Sequence, residues 1–159
     1  MPPMRIRAAR PDDVPALFEL IEELAEYEAL TDAVKGDAHL LSTALFEHET
    51  AEALVAEVAG GTVGYAIFFT TFSTFECRPG LWVEDLFVKE DRRDQGIGRA
   101  LLANIAGIAV DRGCARLEWS ALGWNESALR FYKGLGADRL EQWQALRLEG
   151  DQLKMLGGR

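Results

Sequence analysis

The sequence predicts a mixed α/β fold in which helices flank both faces of a mostly antiparallel central sheet. A β-rich run at 82–88, a charged loop with a glycine pair and a helical run at 100–110 precede another β-rich run at 115–121. A strand, helix and strand of these lengths imply a parallel crossover. Two further β-rich runs meet at Gly60-Gly61, which indicates a hairpin and therefore an antiparallel pair.

The first third of the chain predicts one strand and two helices. Residues 4–9 alternate as a strand, and Pro11 with the following acids supplies a helix start. Apolar side chains then recur at helical spacing until about Glu28, and Asp37 is expected to cap a second, shorter helix. The residues expected to face the core are Leu17, Leu20, Ile21, Leu24 and Ala25 in the first helix and Leu40, Leu41, Ala44 and Leu45 in the second.

The middle of the chain predicts a hairpin followed by a loop. Its strands are expected at 53–59 and 62–72, with Gly60-Gly61 at the turn because both positions tolerate a positive φ. Residues 73–80 contain Pro79-Gly80 and are expected to form a loop.

The last forty or so residues predict a capped helix and two short strand-like runs. Asn125 is expected to cap a helix at 126–135, and Gly136 to close it. The strand-like runs lie within 138–156, around a turn at Glu149-Gly150-Asp151. Because there is no repeat, linker or break in composition, we expect a single domain over 1–159.

Composition indicates a protein without nucleic-acid or membrane partners. The net charge is −9, from 17 basic and 26 acidic residues, whereas binding to a phosphate backbone draws on a surplus of Lys and Arg. No window approaches the roughly 18 apolar residues of a membrane span, and residues 1–5 lack the apolar core of a signal peptide. We therefore expect a cytoplasmic location. The acidity would suit a cationic substrate, although solubility alone also accounts for it.

Neither a metal site nor a covalent nucleophile is predicted. Cys77 and Cys114 stand in unrelated contexts, and His39 and His48 have no ligand type at metal spacing. Both cysteines fall in a loop or turn without the surroundings that activate a nucleophile. Reduced thiols and no metal are expected.

The glycine pair before the central helix suits a phosphate group. Gly96 and Gly98 allow close approach of the backbone, and the first N–H groups of a helix point at whatever binds there. A dinucleotide fingerprint would need a small residue where Leu101 stands, and a Walker-type loop would need Lys after the second glycine, where Arg99 stands. The hexapeptide at 93–98 instead matches R-x-x-G-x-G.

Other segments add to this motif. They are EELAEYE at 22–28, VEDLFV at 83–88, WNE at 124–126 and FYK at 131–133. Together with the hexapeptide and the order of the predicted elements, they resemble the GNAT superfamily of N-acetyltransferases, and in particular its spermidine/spermine (diamine) acetyltransferase branch. The resemblance extends over nearly the whole chain and implies acetyl-CoA as co-substrate.

The resemblance also implies roles for the matching residues. Tyr132 would be the general acid, and Glu84 the general base or the carboxylate that positions the amine. Asp94 departs from the branch, which has glycine there, and its side chain would have to turn away from the phosphates. The amine pocket would comprise Tyr27, Glu28, Glu84 and Asp85, with Trp143 as a neighbour of the methylene chain, while acetyl-CoA would contact Leu86, Phe87, Val88, Arg93, Asp94, Gln95, Gly96, Ile97, Gly98, Arg99 and Asn125.

The chemistry of acetyl transfer needs these residue types. An alkylamine with a pKa of about 10.4 is protonated at neutral pH and must lose a proton before it attacks a thioester. A carboxylate in an apolar strand can take that proton, directly or through water, because desolvation raises its pKa. Structural interpretations stay open, since adjacent strand residues such as Glu84 and Asp85 point to opposite faces and Tyr132 is also a candidate core tyrosine.

The sequence therefore predicts an acetyltransferase for a small cationic amine, which would be a polyamine, a diamine or a lysine-like compound such as thialysine. Acetylation of a protein or peptide amine is one alternative. A non-catalytic acyl-CoA sensor is another, although it would need neither Glu84 nor Tyr132. The resemblance also implies a homodimer, for which the aromatic residues Phe68, Phe69, Phe72 and Phe75 are candidate interface residues.

Overall fold

The computed structural model describes residues 2–159. These residues form two compact units, of which the first ends at Ser120 and the second spans Ala121–Arg159. The single domain expected over 1–159 stays a prediction.

The first unit is built on one five-stranded sheet in the order β1-β2-β3-β4-β5. The first three strand pairs are antiparallel and the last is parallel, which confirms the mixed sheet and the crossover. Its strands and helices are β1 (Met4–Ala8), α1 (Val14–Tyr27), α2 (Ala38–Phe46), β2 (Glu52–Val58), β3 (Gly61–Ser73), β4 (Arg78–Val88), α3 (Ile97–Asp111) and β5 (Leu117–Trp119).

Helices α1 and α2 cover one face of the sheet, called here the α1 face. Leu17 and Leu20 of α1 pack there against Val55 and Tyr65 of the sheet, and all four are almost completely buried. Because side chains alternate along a strand, the neighbouring residues point to the opposite face. Helix α3 also packs against the sheet, through Leu101 and other buried side chains.

The predicted inner face of α1 is confirmed, whereas that of α2 is partly wrong. Asp37 caps α2 as expected, and its carboxylate accepts the Leu40 N–H at 2.8 Å. Leu40 itself is 57% exposed. The inward face of this nine-residue helix is centred on Leu41 and Leu45, four residues apart, and Leu40 lies roughly 100° further round the helix.

The hairpin between β2 and β3 turns one residue earlier than predicted. Val58 pairs with Gly61, so the two loop residues are Ala59 and Gly60. Their φ values are +52° and +79°, as a two-residue turn of this type requires. Gly61 is therefore the first residue of β3 and no part of the turn.

Half of the loop predicted at 73–80 is strand. β3 continues to Ser73 and β4 starts at Arg78, so only residues 74–77 form the connection. The Ser73 hydroxyl is buried and stabilises this connection, because it accepts the Glu76 N–H at 3.2 Å and bonds the Arg116 guanidinium. Pro79 lies within β4, where its carbonyl accepts the Ala115 N–H.

The second unit contains helices α4 (Glu126–Gly134) and α5 (Gly150–Gly157). Asn125 caps α4 as predicted, with its side chain accepting the Ala128 N–H at 3.3 Å. The strand-like runs expected within 138–156 are wrong, since no strand occurs among residues 121–159. Helix-favouring residues follow Gly150, and an alternating pattern forms a strand only where a partner strand is available.

The described part of the chain contains neither a membrane-spanning helix nor a cluster of metal-ligating side chains. None of the helices formed by residues 2–159 is long and apolar enough to cross a membrane. Within the same range, no group of three or more His, Cys, Asp or Glu side chains is placed to hold a metal ion.

Candidate active site

A β-bulge in β4 lies at the centre of the candidate site. Asp85 is opposite Ile67 and Val83 is opposite Phe68, so Glu84 is the extra residue of β4. A bulge interrupts the alternation of a strand, and the opposite orientation expected for adjacent acids no longer applies. The Trp82 indole N–H donates to Glu84 Oε2 at 3.2 Å. The charge of Glu84, the preceding residue, helps to raise the pKa of Asp85.

Asp85 is partly buried and points to the α1 face. The phenol of Tyr65, which is completely buried, donates to Asp85 Oδ2 at 3.0 Å. Burial is the main cause that raises the pKa of Asp85, while the hydrogen bond from Tyr65 lowers it. The sequence predicted a desolvated carboxylate in this apolar strand, and Asp85 fits that description. Glu84 is exposed at the bulge.

Glu28 follows the last turn of α1 and forms the second carboxylate of the site. Burial raises its pKa, and the charge of Asp85 raises it further. Within residues 2–159, neither Glu28 nor Asp85 forms an ion pair with a Lys or Arg side chain. Two carboxylates therefore share a partly buried site without a compensating cation. We call Glu28 and Asp85 the acid pair.

Other partly buried acids of the first unit do have cationic partners. Arg7 contacts Asp13 at 2.7 Å and also bonds Glu57, and it holds the pKa of each below the usual range. Arg112 likewise bonds Glu52 at 2.7 Å and lowers its pKa. Pairing is the usual condition for a charge removed from water. The acid pair is thus the part of this unit that suits an external cation.

Arg93 links the end of α1 to β4. Its guanidinium lies 4.5 Å from the centre of the Tyr27 ring and 5.5 Å from that of Phe87, within the range of cation–π attraction. Its Nε donates to the Val88 carbonyl at 3.1 Å. Arg93 therefore joins Tyr27, expected in the amine pocket, to a part of β4 expected to hold the acetyl-CoA arm.

The glycine loop opens α3 with unpaired N–H groups. The first α-helical hydrogen bond runs from the Ala100 N–H to the Gly96 carbonyl at 3.0 Å. The preceding N–H groups, from Ile97 to Arg99, consequently have no acceptor within the helix. Gly96 has a φ of +80°, and the space that a Cβ would occupy there is open. Such an arrangement suits the phosphates of a ligand.

Three predicted site residues belong to the second unit. Asn125 caps α4, and Tyr132 lies in that helix with its ring 5.4 Å from the ring of Phe131. Trp143 is 74% exposed. Their roles toward acetyl-CoA and the amine stay predictions.

Tyr65, whose phenol bonds Asp85, was not among the site residues predicted from the sequence. The available signal was a hydroxyl in the otherwise apolar run Val63–Phe69, where every neighbour is Gly, Ala, Val, Ile or Phe. That signal does not name a partner, because Asp85 lies twenty residues away in the chain.

The first unit therefore has three features of a candidate site: a helix N-terminus that suits phosphate, the bulge in β4 and the acid pair. Residues 15–137 match the Acetyltransferase (GNAT) family. The chain belongs to this family. The family match covers the bulge, the glycine loop, the acid pair and Tyr132, and it confirms the predicted acetyltransferase class. The family uses acetyl-CoA as co-substrate.

Individual relatives agree with this assignment. Thialysine N-epsilon-acetyltransferase of Bos taurus is 36% identical in an alignment that covers 97% of each chain. The spermidine/spermine N(1)-acetyltransferase-like protein 1 of Homo sapiens is 29% identical in an alignment that covers 94% of this chain and 23% of that protein. An integron cassette protein from the mobile metagenome of V. cholerae superimposes with a TM-score of 0.81, at 26% identity and 98% coverage of both chains. The predicted fold and resemblance are confirmed.

Asp94 is an acidic residue of the loop that is expected to bind the pyrophosphate. It is exposed, carries a negative charge two residues before Gly96 and has a φ of +61°, in the region that favours glycine. If the loop binds the pyrophosphate, Asp94→Gly should tighten acetyl-CoA binding roughly fivefold, since repulsion between charges a few ångströms apart in water is worth about 1 kcal/mol. Stability should change little, because relief of strain and the flexibility of glycine offset each other. Calorimetry at low salt measures both the affinity for acetyl-CoA and the thermal stability.

Two variants separate charge from backbone strain. Asp94→Asn removes the charge and keeps a residue that tolerates a positive φ, so it should give most of the gain in affinity. Asp91→Asn removes an equal charge three residues earlier and should give less. Unchanged affinity in both Asp94 variants would contradict a pyrophosphate at this loop.

Proposed function

We propose that the protein transfers the acetyl group of acetyl-CoA to the primary amine of a small dicationic substrate. A lysine-like compound such as thialysine is the leading candidate, followed by diamines and polyamines. The observation that carries this proposal is the acid pair, which lacks a cation beside the bulge that bears Glu84. The full-length similarity to a thialysine acetyltransferase supports the same substrate class.

The acid pair would receive the ammonium group that does not react. A cation between Glu28 and Asp85 would relieve their repulsion and favour the ionised form of both. The Tyr27 ring, already held by Arg93, would contact the methylene chain, and Trp143 would be a further apolar neighbour. Fixing one end of the substrate in this way would orient the other end for reaction.

The reacting amine must reach the thioester as the neutral base. Glu84 would accept its proton, directly or through water, since the bulge leaves this carboxylate exposed next to Trp82. Bound acetyl-CoA would supply the thioester. Its contacts would be the N–H groups at the start of α3, the backbone of β4 from Leu86 to Val88, and Asn125. Tyr132 would protonate the sulfur of the departing coenzyme A thiolate.

We also propose a cytoplasmic homodimer that has neither nucleic-acid nor membrane partners. The aromatic set expected at an interface is smaller than the sequence suggested, because Phe68 is buried in the core and Phe69 is partly buried. Phe72 and Phe75 remain, at 66% and 100% exposure. They flank or occupy the β3–β4 turn, where they would be available to a second chain. Light scattering that shows a monomer at micromolar concentration would contradict the dimer.

A thiol-release assay with acetyl-CoA tests the proposed substrate. The panel contains thialysine, lysine, a diamine, spermidine, a lysine-containing peptide and a neutral-tailed monoamine, which is a primary amine whose chain carries no second charge. We expect the dicationic small molecules to have the highest kcat/KM, and this value should fall as salt rises. Glu28→Gln should lower it roughly tenfold or more for the dications and little for the monoamine, because a partly desolvated ion pair is lost.

Glu22→Gln is the matched control, since it removes an equal charge from the exposed side of α1. It should leave the preference for dications intact. A protein or peptide amine as the best acceptor would favour the alternative substrate class. Binding of acetyl-CoA without turnover on any amine would favour a non-catalytic sensor.

The two proposed proton-transfer roles predict different kinetic defects. Tyr132→Phe should lower kcat with little change in the affinity for acetyl-CoA, because a proton donor is lost while a ring of similar shape remains. Glu84→Gln should depress the rate mostly at neutral pH and less at high pH, where more of the amine is already neutral. Wild-type pH–rate profiles in both variants would make these residues structural.

A further inference from the structure

Tyr65 carries a hydroxyl group that the packing of the core does not require. Its ring is completely buried among apolar side chains, including those of Leu17, Leu20 and Val55. A phenylalanine would fill the same space. Burying a hydroxyl is unfavourable unless it finds a hydrogen-bond partner, and within residues 2–159 the partner of this one is Asp85.

Building on the proposed function, we infer that Tyr65 is a positioning residue for substrate recognition. Its phenol fixes Oδ2 of Asp85 on the α1 face and leaves Oδ1 for the second ammonium group of the amine.

The strand register explains why Tyr65 can do this. Tyr65 is opposite Phe87 and Ile67 is opposite Asp85, so Tyr65 and Asp85 are diagonal neighbours on one face of the β3–β4 pair. The bulge at Glu84 immediately precedes Asp85 and interrupts the ladder there. A side-chain bond from the uninterrupted neighbouring strand restores a fixed orientation to Asp85 at this point.

Tyr65 also favours the charged form of Asp85. The titratable groups around Asp85 are Tyr65 from β3, Glu84 from β4 and Glu28 from the end of α1. Both burial and the neighbouring acid raise the pKa of Asp85, and the phenol opposes them by donating to the carboxylate. Arg93 is the cation that contacts Tyr27 at the end of α1, and its guanidinium lies against the Tyr27 and Phe87 rings. Without the phenol, Asp85 would take up a proton at a higher pH.

Removal of the Tyr65 phenol should shift the pH dependence of the amine KM in a defined direction. A dicationic amine binds the ionised acid pair, so its KM rises as pH falls through the pKa of Asp85. Loss of the phenol raises that pKa and moves the acid limb of the profile to higher pH. A residue that only fills the core would have no such effect.

Tyr65→Phe keeps the ring and removes the hydroxyl. With thialysine as acceptor and acetyl-CoA saturating, we expect KM for the amine to rise roughly tenfold at neutral pH, because a charge-assisted hydrogen bond no longer orients the carboxylate. The acid limb should shift upward, while KM for acetyl-CoA and the kcat/KM of a neutral-tailed monoamine should stay within about twofold of wild type, as neither depends on Asp85.

Two further variants separate positioning from packing. Val55→Ala removes side-chain volume from the same core cluster and should lower the thermal stability, but it should leave the amine KM and the acid limb unchanged. In an Asp85→Asn background, Tyr65→Phe should have little additional effect on amine KM, because the two residues act as a unit.

The outcomes distinguish this inference from the proposed function. If the wild-type protein acetylates no dicationic amine, the proposed function is wrong. If it does so and Tyr65→Phe retains the wild-type KM and acid limb, Tyr65 is a core residue and the inference is overturned. It is also overturned if Val55→Ala reproduces the kinetic defect, or if the effects of Tyr65→Phe and Asp85→Asn are simply additive.

Discussion

Electrostatic repulsion between Glu28 and Asp85 is the constraint around which the site is arranged. Glu28 is the C-cap residue of α1 and is affected by the charge of Asp85, and the bulge in β4 lies at Glu84, directly before Asp85. Each neighbouring acid disfavours the ionised form of the next, and burial adds to the effect. The ionised acids therefore destabilise the ligand-free protein, and a bound cation would compensate for this cost.

The surrounding contacts hold these acids in place without neutralising them. Tyr65 donates a hydrogen bond to Asp85 but carries no charge. The guanidinium of Arg93 contacts aromatic rings and donates to a backbone carbonyl. Acids elsewhere in the unit, such as Asp13 and Glu52, do have arginine partners. The acid pair thus keeps a negative potential that no Lys or Arg side chain of the described residues neutralises, and this potential would favour amines with a second positive charge.

Local sequence signals predicted the local features of the fold well. The apolar stripe of α1, the caps at Asp37 and Asn125 and the crossover through α3 depend on neighbours within a few residues. The turn at Ala59-Gly60 was displaced by one residue because pairing of the strands decides which two positions have a positive φ. The prediction of two C-terminal strands was wrong because an alternating pattern does not specify a partner strand.

The parts of the site that escaped prediction depend on contacts between distant segments. The bulge at Glu84 is a property of the register between β3 and β4, and no pattern within β4 encodes it. The bond between Tyr65 and Asp85 joins residues twenty apart, and burial of Asp85 depends on the folded sheet. The resemblance to GNAT proteins supplied the identity of the acids, whereas their separate environments required the structure.

The free energy of unfolding of Asp85→Asn shows whether the charge of Asp85 is uncompensated in the ligand-free protein. Asparagine still accepts the phenol of Tyr65, so the variant removes the charge alone. The pKa of Asp85 is raised in the folded state, and ionisation therefore destabilises the fold above that pKa. We expect Asp85→Asn to be more stable than wild type by about 1 kcal/mol at neutral pH.

The gain should disappear below the ordinary carboxyl pKa of 3.8, where both folded and unfolded Asp85 are protonated. Addition of a dicationic amine at neutral pH should stabilise wild type and have little effect on the variant. An Asp85→Asn protein that is less stable than wild type at neutral pH, and equally stabilised by the amine, would contradict a site built on an uncompensated acid pair.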